Sequence, residues 1–575
     1  MPKKSGNNAM DWFSTYWTSI VLIFAPIVFL PLVFMFPEND KEGKCAYVVA
    51  LMATYWVFEV LPLAITALMP MVFYPFFEIM KSEEVAQAYL PDTSFLFLGG
   101  LMVAVAVEKA NLHQRIALLV LKIVGSQPQW IMAGFMAVTG FLSMWISNTA
   151  TTALMVPIVQ GVIVELVANH RMQEMFTMVE RSNADNRRRS VECRRLSISH
   201  EHYIAPQRDV ADVYTPRELS MAKGLLISVC FAANIGGAAT ITGTATNLVL
   251  VGQIEKLFPH ANTGVNFLSW MIFAFPLCFA CLILCWVILW VLFMRNSPKG
   301  NAIVTRKLHD KYEQLPPLSF AEVAVSLCFL AMLALWILRE PQVFPGFGEY
   351  FKHGYISDAC SAIFIVIVLF MLPDNWPKCF SPEPSRGLIT QGPKRIIRGS
   401  LLDWQTIQER FPWSILLLLG GGFALAAGVK ESHLSLLVGN VMKRLEVFPI
   451  FVIMTIIILI TLVLTNICSN TVVASIFIPI VAELARSLEL NPLYFMLPVA
   501  ISSSFAFLLP VATPPNAIVF SAGVVKVKDM IVAGFLLTIG CLGLTILTMA
   551  LWAKHVYHLD DHERTLLLLN QTWVA

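Results

Sequence analysis

Phe141-Leu-Ser-Met-Trp-Ile-Ser-Asn-Thr-Ala-Thr-Thr-Ala-Leu-Met-Val-Pro157 has a second copy in outline, Thr461-Leu-Val-Leu-Thr-Asn-Ile-Cys-Ser-Asn-Thr-Val-Val-Ala-Ser-Ile-Phe-Ile-Pro479. In both, Ser-Asn-Thr interrupts an apolar run and a proline stands ten residues after the serine. The two serines, Ser147 and Ser469, are 469 − 147 = 322 residues apart. Polar groups inside hydrocarbon are costly unless they have partners. Two such triplets at matching places in two halves of one chain point to a single composite binding site.

The surroundings of both triplets are those of a membrane protein. The 575 residues are 57% hydrophobic and only 14% charged, with a mean hydropathy of +0.69. Trp17 to Phe36, Phe267 to Met294, Ala321 to Leu338 and Met530 to Trp552 are apolar runs of about the 20 residues that span a bilayer. The fold class is therefore all-α and polytopic; β-barrel strands would alternate, and these runs do not. The first run begins too late and extends too far for a cleaved signal peptide, so it reads as the first spanning helix. A net charge of +2 gives no reason to expect a nucleic-acid partner. Cys278, Cys281 and Cys285 share one helical face with no histidine nearby, a pattern of membrane packing and not of a metal site.

Working outward, the repeat gains further landmarks. Phe97-Leu-Gly-Gly100 matches Leu418-Leu-Gly-Gly421 at 420 − 99 = 321, and the same offset pairs Lys109 with Lys430. Trp130 to Glu165 and Val447 to Leu484 are each too long for one helix, with the triplet near the middle. Both read as re-entrant hairpins with the triplet at the tip. Asn234 to Asn247 is too rich in Gly and Thr for an unbroken helix, and a break is expected near Gly243. Ala512-Thr-Pro-Pro-Asn516 answers Gly243-Thr-Ala-Thr-Asn247 in the second half. Four landmarks in the same order make an internal repeat.

The expected organisation follows. Residues 1–44 hold a cytoplasmic N-terminus, the first spanning helix and an external loop beginning at Pro37. The first repeat covers 45–295, with Cys45 to Phe77 divided at Glu59 to Pro62 and a hydrophilic cytoplasmic loop at 169–218. That loop contains Arg187-Arg-Arg-Ser190, which reads as an exposed flexible segment. A linker occupies 296–317, the second repeat 318–553, and a tail 554–575. The count is about 11 transmembrane helices plus two hairpins.

Lys and Arg set the orientation. Loops 109–128, 169–218, 295–317 and 374–411 carry 3, 9, 5 and 6 of them, while loops 78–92, 256–264 and 339–354 carry 1, 1 and 2. The first set is read as cytoplasmic, which gives the two halves opposite topology, the inverted-repeat plan of secondary transporters. The same count puts the C-terminus outside, where the chain's one glycosylation sequon, Asn570-Gln-Thr572, stands.

Hairpin tips and helix breaks would then bring Asn148, Thr149, Asn470, Thr471, Thr244 and Thr513 together near the midplane. Residues 130–164, 224–254, 450–482 and 492–525 contain no Lys, Arg, Asp, Glu or His. The chemistry on offer is amides, hydroxyls, freed carbonyls and half-helix N-termini. Those N-termini favour anions, and carbonyl and side-chain oxygens favour a hard cation such as Na⁺. Cation-coupled anion symport is the expectation. Ser, Thr and Asn also act as glue between transmembrane helices, which is the ordinary reading of one isolated triplet. A channel with re-entrant loops would share the plan. An intramembrane enzyme would need acids, a Ser–Lys or Ser–His pair or HExxH, and none is in this core. Glu59, Glu108, Lys109, Lys223 and Lys430 lie near expected helix ends, where snorkelling or ion pairing accounts for them. Trp17, Trp130 and Trp552 read as interface anchors.

At Ser147-Asn-Thr149, Ser469-Asn-Thr471, Thr242-Gly-Thr244 with Asn247, and Leu509-Pro-Val-Ala-Thr-Pro-Pro-Asn516, the chain resembles the divalent anion:sodium symporters, solute carrier family 13. The likeness runs from Thr15 to about His555 and is strongest to the animal carboxylate branch often called INDY-like. It implies sodium-coupled symport of di- and tricarboxylates (succinate, malate, fumarate, citrate) into the cell. Sodium–sulfate symport or sodium-independent dicarboxylate exchange are the alternatives on the same scaffold. It also implies a plasma-membrane homodimer with an elevator motion, in which hairpins and broken helices slide past the remaining helices. One sodium site would use Ser143, Asn148 and the backbone at Gly243; the other would use Thr465, Asn470 and the backbone at Ala512. The substrate would meet Asn148, Thr149, Asn470 and Thr471, with Gly243, Thr244, Thr513 and Pro514 shaping the pocket. Ala245-Thr246 stands where some relatives have Gly-Pro.

Overall fold

The structure is a computed structural model, and it describes residues 8–35, 40–125, 127–186, 214–258, 263–295, 297, 310, 312–341, 345–352, 355–375, 399–434 and 447–561. The sequon at Asn570 and the Arg187–Ser190 segment lie outside these residues. Among them all regular structure is helical, with one isolated bridge between Pro373 and Ser400. Nine of these helices are long and apolar enough to cross a membrane, and four shorter ones are apolar.

The first half runs α1 (Asn8–Phe29), α2 (Asp40–Val57), α3 (Leu63–Thr66), α4 (Met69–Phe76), α5 (Ser82–Tyr89), α6 (Asp92–Lys109) and α7 (Leu112–Val124). The first hairpin is α8 (Pro128–Ser143) and α9 (Asn148–Asn186). The first broken helix is α10 (Pro216–Gly237) and α11 (Ala245–Leu257), followed by α12 (Phe267–Leu289). In the second half come α13 (Phe320–Arg339), α14 (Asp358–Met371), α15 (Trp404–Arg410) and α16 (Trp413–Glu431). The second hairpin is α17 (Ile450–Thr465) and α18 (Asn470–Ser487). The second broken helix is α19 (Leu493–Ser502) and α20 (Pro514–Ser521), before α21 (Val527–Thr548) and α22 (Lys554–Tyr557).

The helix bounds repeat as the motifs do. Adding 322 to the limits of α8 gives those of α17, and adding 322 to the first residue of α9 gives that of α18. Pro157 and Pro479 lie inside α9 and α18, where each removes one backbone hydrogen bond. The last long helix of each half, α12 and α21, passes into a π-helical turn, Trp290–Met294 and Met549–Ala553. These two helices pack along each other. Cys281 and Cys541 hold equivalent places on them, since 541 − 281 = 527 − 267 = 260, and both are fully buried.

Polar residues start several helices. Thr215 caps α10 and pairs reciprocally with Glu218, Asn266 caps α12, and Ser319 with Glu322 caps α13. Each satisfies backbone donors that a helix start leaves free.

Several expected loops prove helical. Asp40 to Lys44, expected in a loop, instead opens α2. Stretches 78–92, 109–128 and 374–411 hold α5, α7 and α15. The run from Cys45 to Phe77 forms three pieces and not two, with Glu59 at φ 47° between α2 and α3. The hydrophilic stretch from Asn169 begins as helix, since α9 continues to Asn186. Charge-rich helix ends carry the same composition as loops, so polarity alone does not separate them.

Candidate functional site

At the first hairpin tip, α8 ends with Ser143 and α9 begins with Asn148. Ser143 Oγ lies 2.6 Å from Asn148 Oδ1 and 2.8 Å from the Ala233 carbonyl of α10. The hydroxyl has one proton for two acceptors. With that proton on Ala233, Ser143 Oγ and Asn148 Oδ1 remain as adjacent acceptor oxygens that a cation would bridge. Gly237 and Gly243 close around them. A Cβ on Gly237 would sit 2.3 Å from Asn148 Oδ1, and one on Gly243 would sit 2.4 Å from the Gly237 carbonyl and 2.9 Å from that of Met144. Ser143 and Asn148 thus meet beside Gly237, and Gly243 lies against the Gly237 and Met144 carbonyls and the Thr240 hydroxyl; side-chain and carbonyl oxygens of this kind suit a hard cation.

The second tip repeats the chemistry. Thr465 Oγ1 lies 2.8 Å from Asn470 Oδ1 and also donates to the Ser503 carbonyl. The five-residue spacing is that of Ser143 and Asn148. Among the described residues no hydrogen bond joins Ala512 to this pair; its N–H donates to the Leu509 carbonyl at 3.2 Å. Asn466, which the sequence did not single out, accepts the N–H groups of Phe507 and Leu508 at 2.9 and 2.8 Å. It fastens this tip to the second break.

Both breaks are built alike. Asn247 Nδ2 donates to the carbonyls of Ala238 (3.1 Å) and Thr240 (2.7 Å). Asn516 Nδ2 donates to those of Ala506 (3.0 Å) and Leu509 (3.1 Å). Each asparagine is the third residue of the outgoing half-helix and turns back onto carbonyls freed by the break. Thr244 and Thr513 precede those half-helices in nearly one conformation, φ −145°, ψ 148° and φ −142°, ψ 150°. Thr149 and Pro514 are exposed, Asn148, Thr244, Asn470 and Thr471 are half-buried, and Ala512 and Thr513 are buried.

The two breaks also hold each other. Asn234 of α10 donates to Thr513 Oγ1 at 3.3 Å and to the Ala506 carbonyl at 3.2 Å. Thr246 Oγ1 meets Ser504 Oγ at 2.7 Å. α11 packs on α18 of the second hairpin, and α20 packs on α9 of the first. Asn234, Thr246 and Ser504 were not expected as site residues. The one sequence signal for them was their place in the two polar windows. The arrangement offers two oxygen pairs and the N-termini of α9, α11, α18 and α20. Each N-terminus carries about half a positive charge.

A family model described as the sodium:sulfate symporter transmembrane region matches residues 13–559. The "Sodium-dependent low-affinity dicarboxylate transporter 1" of Caenorhabditis elegans is 60% identical, over 97% of this chain and 94% of that protein. The "Sodium-dependent high-affinity dicarboxylate transporter 3" of the same organism is 45% identical, over 94% and 88%. The "Na(+)/citrate cotransporter" of Rattus norvegicus is 38% identical, over 96% and 97%.

Proposed function

This chain belongs to the sodium:sulfate symporter family, and from that membership we propose that it is a multi-pass secondary active transporter carrying di- and tricarboxylates together with sodium. The family is one of transporters, so the enzyme reading falls away. Its relatives named for sodium-dependent dicarboxylate and citrate transport support carboxylate over sulfate. The observation that carries the reading is the doubled oxygen pair, Ser143–Asn148 and Thr465–Asn470, at 2.6 and 2.8 Å.

Na⁺ would be held by Ser143, Asn148 and the backbone at Gly243, and a second Na⁺ by Thr465, Asn470 and the backbone at Ala512. The carboxylates would bind Asn148-Thr149 and Asn470-Thr471, beside Thr244, Thr513 and Pro514. Each half-helix N-terminus supplies only about half a charge, spread over backbone N–H groups and felt within its first turn, so bound cations add to what holds a dehydrated dianion. Two cations match two carboxylates, so binding of ion and anion is mutually favourable and neither is carried well alone. In this reading 45–295 and 318–553 are inverted repeats, and hairpins and broken helices move as one body in an elevator stroke. The protein acts as a homodimer in the plasma membrane with its N-terminus inside, and Asn570 is glycosylated outside. The Lys and Arg counts of the loops support that orientation.

Uptake of radiolabelled succinate and citrate into expressing cells, with sodium replaced by choline, tests this. Saturable uptake that needs sodium is the expected result. Uptake indifferent to sodium would move the mechanism to exchange, and no carboxylate uptake by confirmed surface protein would move the substrate to sulfate. Large single-channel currents would overturn the carrier altogether.

A further inference from the structure

Where α11, α16 and α18 end, a cavity of about 50 Å³ lies between the outer arm of the second hairpin and helices α2 and α16. That is room for a few waters or one carboxylate group. Its walls are apolar, from Val49, Leu257, Leu425 and Ile480, while Ser475, Glu483, Arg486 and Lys430 supply the polar groups.

Ser475, Pro479, Glu483 and Arg486 form one stripe along α18, spaced at i, i+4, i+8 and i+11. The stripe is about 16 Å long at 1.5 Å per residue and begins five residues after Asn470. The repeat provides an internal comparison. At 322 residues earlier, α9 carries Ala153, Pro157, Gly161 and Val164. The hairpins share their tips and their proline, and only the second has polar side chains at these places.

The donors there are only partly spent, the Arg486 guanidinium also lying 5.9 Å from the Phe258 ring centroid. Arg486 Nη1 donates to Glu483 Oε2 at 2.9 Å, which occupies the one carboxylate in the cavity. Arg486 Nε is buried without a partner among the described residues, and so is Ser475 Oγ. Buried donors without partners are costly, and two of them lining one cavity that Lys430 also borders call for an acceptor ligand. We infer that this cavity is an entry site that takes one carboxylate of the substrate on the outer route to Asn470, through Arg486, Ser475 and Lys430. The inference rests on the carrier reading and adds a substrate contact outside the paired-oxygen site.

The experiment is sodium-dependent uptake of succinate at varied external concentration, normalised to surface protein, for wild type, Arg486→Gln, Arg486→Lys and Ser475→Ala. Loss of a charge-assisted hydrogen bond in Arg486→Gln raises the external KM about tenfold, equivalent to 1.4 kcal/mol, with maximal rate per surface molecule little changed. Arg486→Lys restores most of the affinity. Ser475→Ala, which installs the residue of the first repeat, raises KM less. The KM of Arg486→Gln also loses most of its dependence on ionic strength. A merely structural Arg486 would lower surface amount or maximal rate and leave KM alone. Unchanged KM in Ser475→Ala and in surface-expressed Arg486→Gln, with wild type transporting normally, would overturn the entry site alone. Failure of wild type to transport succinate would remove the carrier reading and the entry site with it.

Discussion

Asn148 and Asn470 do different work from Asn247 and Asn516, although all four stand in the same polar motifs. The first pair presents Oδ1 beside a hydroxyl oxygen, while the second spends Nδ2 on carbonyls left by a helix break. Asn148→Ala and Asn470→Ala should therefore each abolish coupled uptake with surface expression intact, as read by transport and surface labelling. Asn247→Ala instead takes the stronger donors from the buried Ala238 and Thr240 carbonyls, which keep only the Trp270 indole N–H at 3.2 Å and the Gly243 N–H at 3.4 Å, and should lower surface expression itself. Ser143→Ala and Thr465→Val should raise the sodium concentration for half-maximal uptake, while Thr465→Ser should not. Cys281→Ala should leave transport nearly unchanged, because the thiol is buried at a helix–helix seam. The triplets were legible because Ser-Asn-Thr is foreign to an apolar run. Asn234, Thr246 and Ser504 were not, because their partners lie 279 and 258 residues away along the chain, and no local pattern encodes that distance.

Close approach of elements depends on two adjacent glycines of α10. A Cβ at Gly236 would stand 2.3 Å from the Gly140 carbonyl oxygen and 2.5 Å from its Cα, so the first hairpin and first broken helix touch backbone to backbone. Gly236→Val should force them apart and cut folded protein, visible as lost monodispersity after extraction. Gly237→Ala acts on the site, because the added methyl would displace Asn148 Oδ1. It should weaken sodium activation more than surface expression. Hairpins and breaks could be read ahead of the structure because two copies of each constrain one another, and α8 and α17 agree residue for residue at 322. The short helices could not. α7 and α15 are too short to span and too charged to stand out as apolar runs, and their faces are satisfied by distant groups. Arg115 of α7 holds Glu322 of α13 at 3.0 Å, and Arg410 of α15 holds Glu108 of α6 at 3.0 Å.

Across the whole molecule the two halves are tied at the ends as well as at the centre. Lys109, closing α6, donates to Asp403 at 2.6 Å and to the Ser400 carbonyl at 3.0 Å. The Lys109 ammonium, with the Thr406 N–H, holds the Asp403 carboxyl down to about 2 from its ordinary 3.8. A depressed carboxyl stabilises the fold above its unfolded value, and the contribution fades as pH falls toward the folded one. Asp403→Asn should therefore cost about 1 kcal/mol of stability or less at pH 7 for so exposed a pair, read as a modest fall in Tm. The gap from wild type should close as pH drops through 4 toward 2 in detergent-solubilised unfolding. The contacts between the two breaks reach further than stability. Asn234 leaves the ribosome 279 residues before Thr513, which at about 5–20 residues per second is roughly fifteen seconds to a minute of synthesis. Through that interval the first break stands in the nascent chain without the partners that Asn234 has in the folded protein, and a polar group without partners in hydrocarbon is costly. Synthesis of the second half completes the first, and a chain that stops after α12 leaves Asn234 and Thr246 without Thr513 and Ser504.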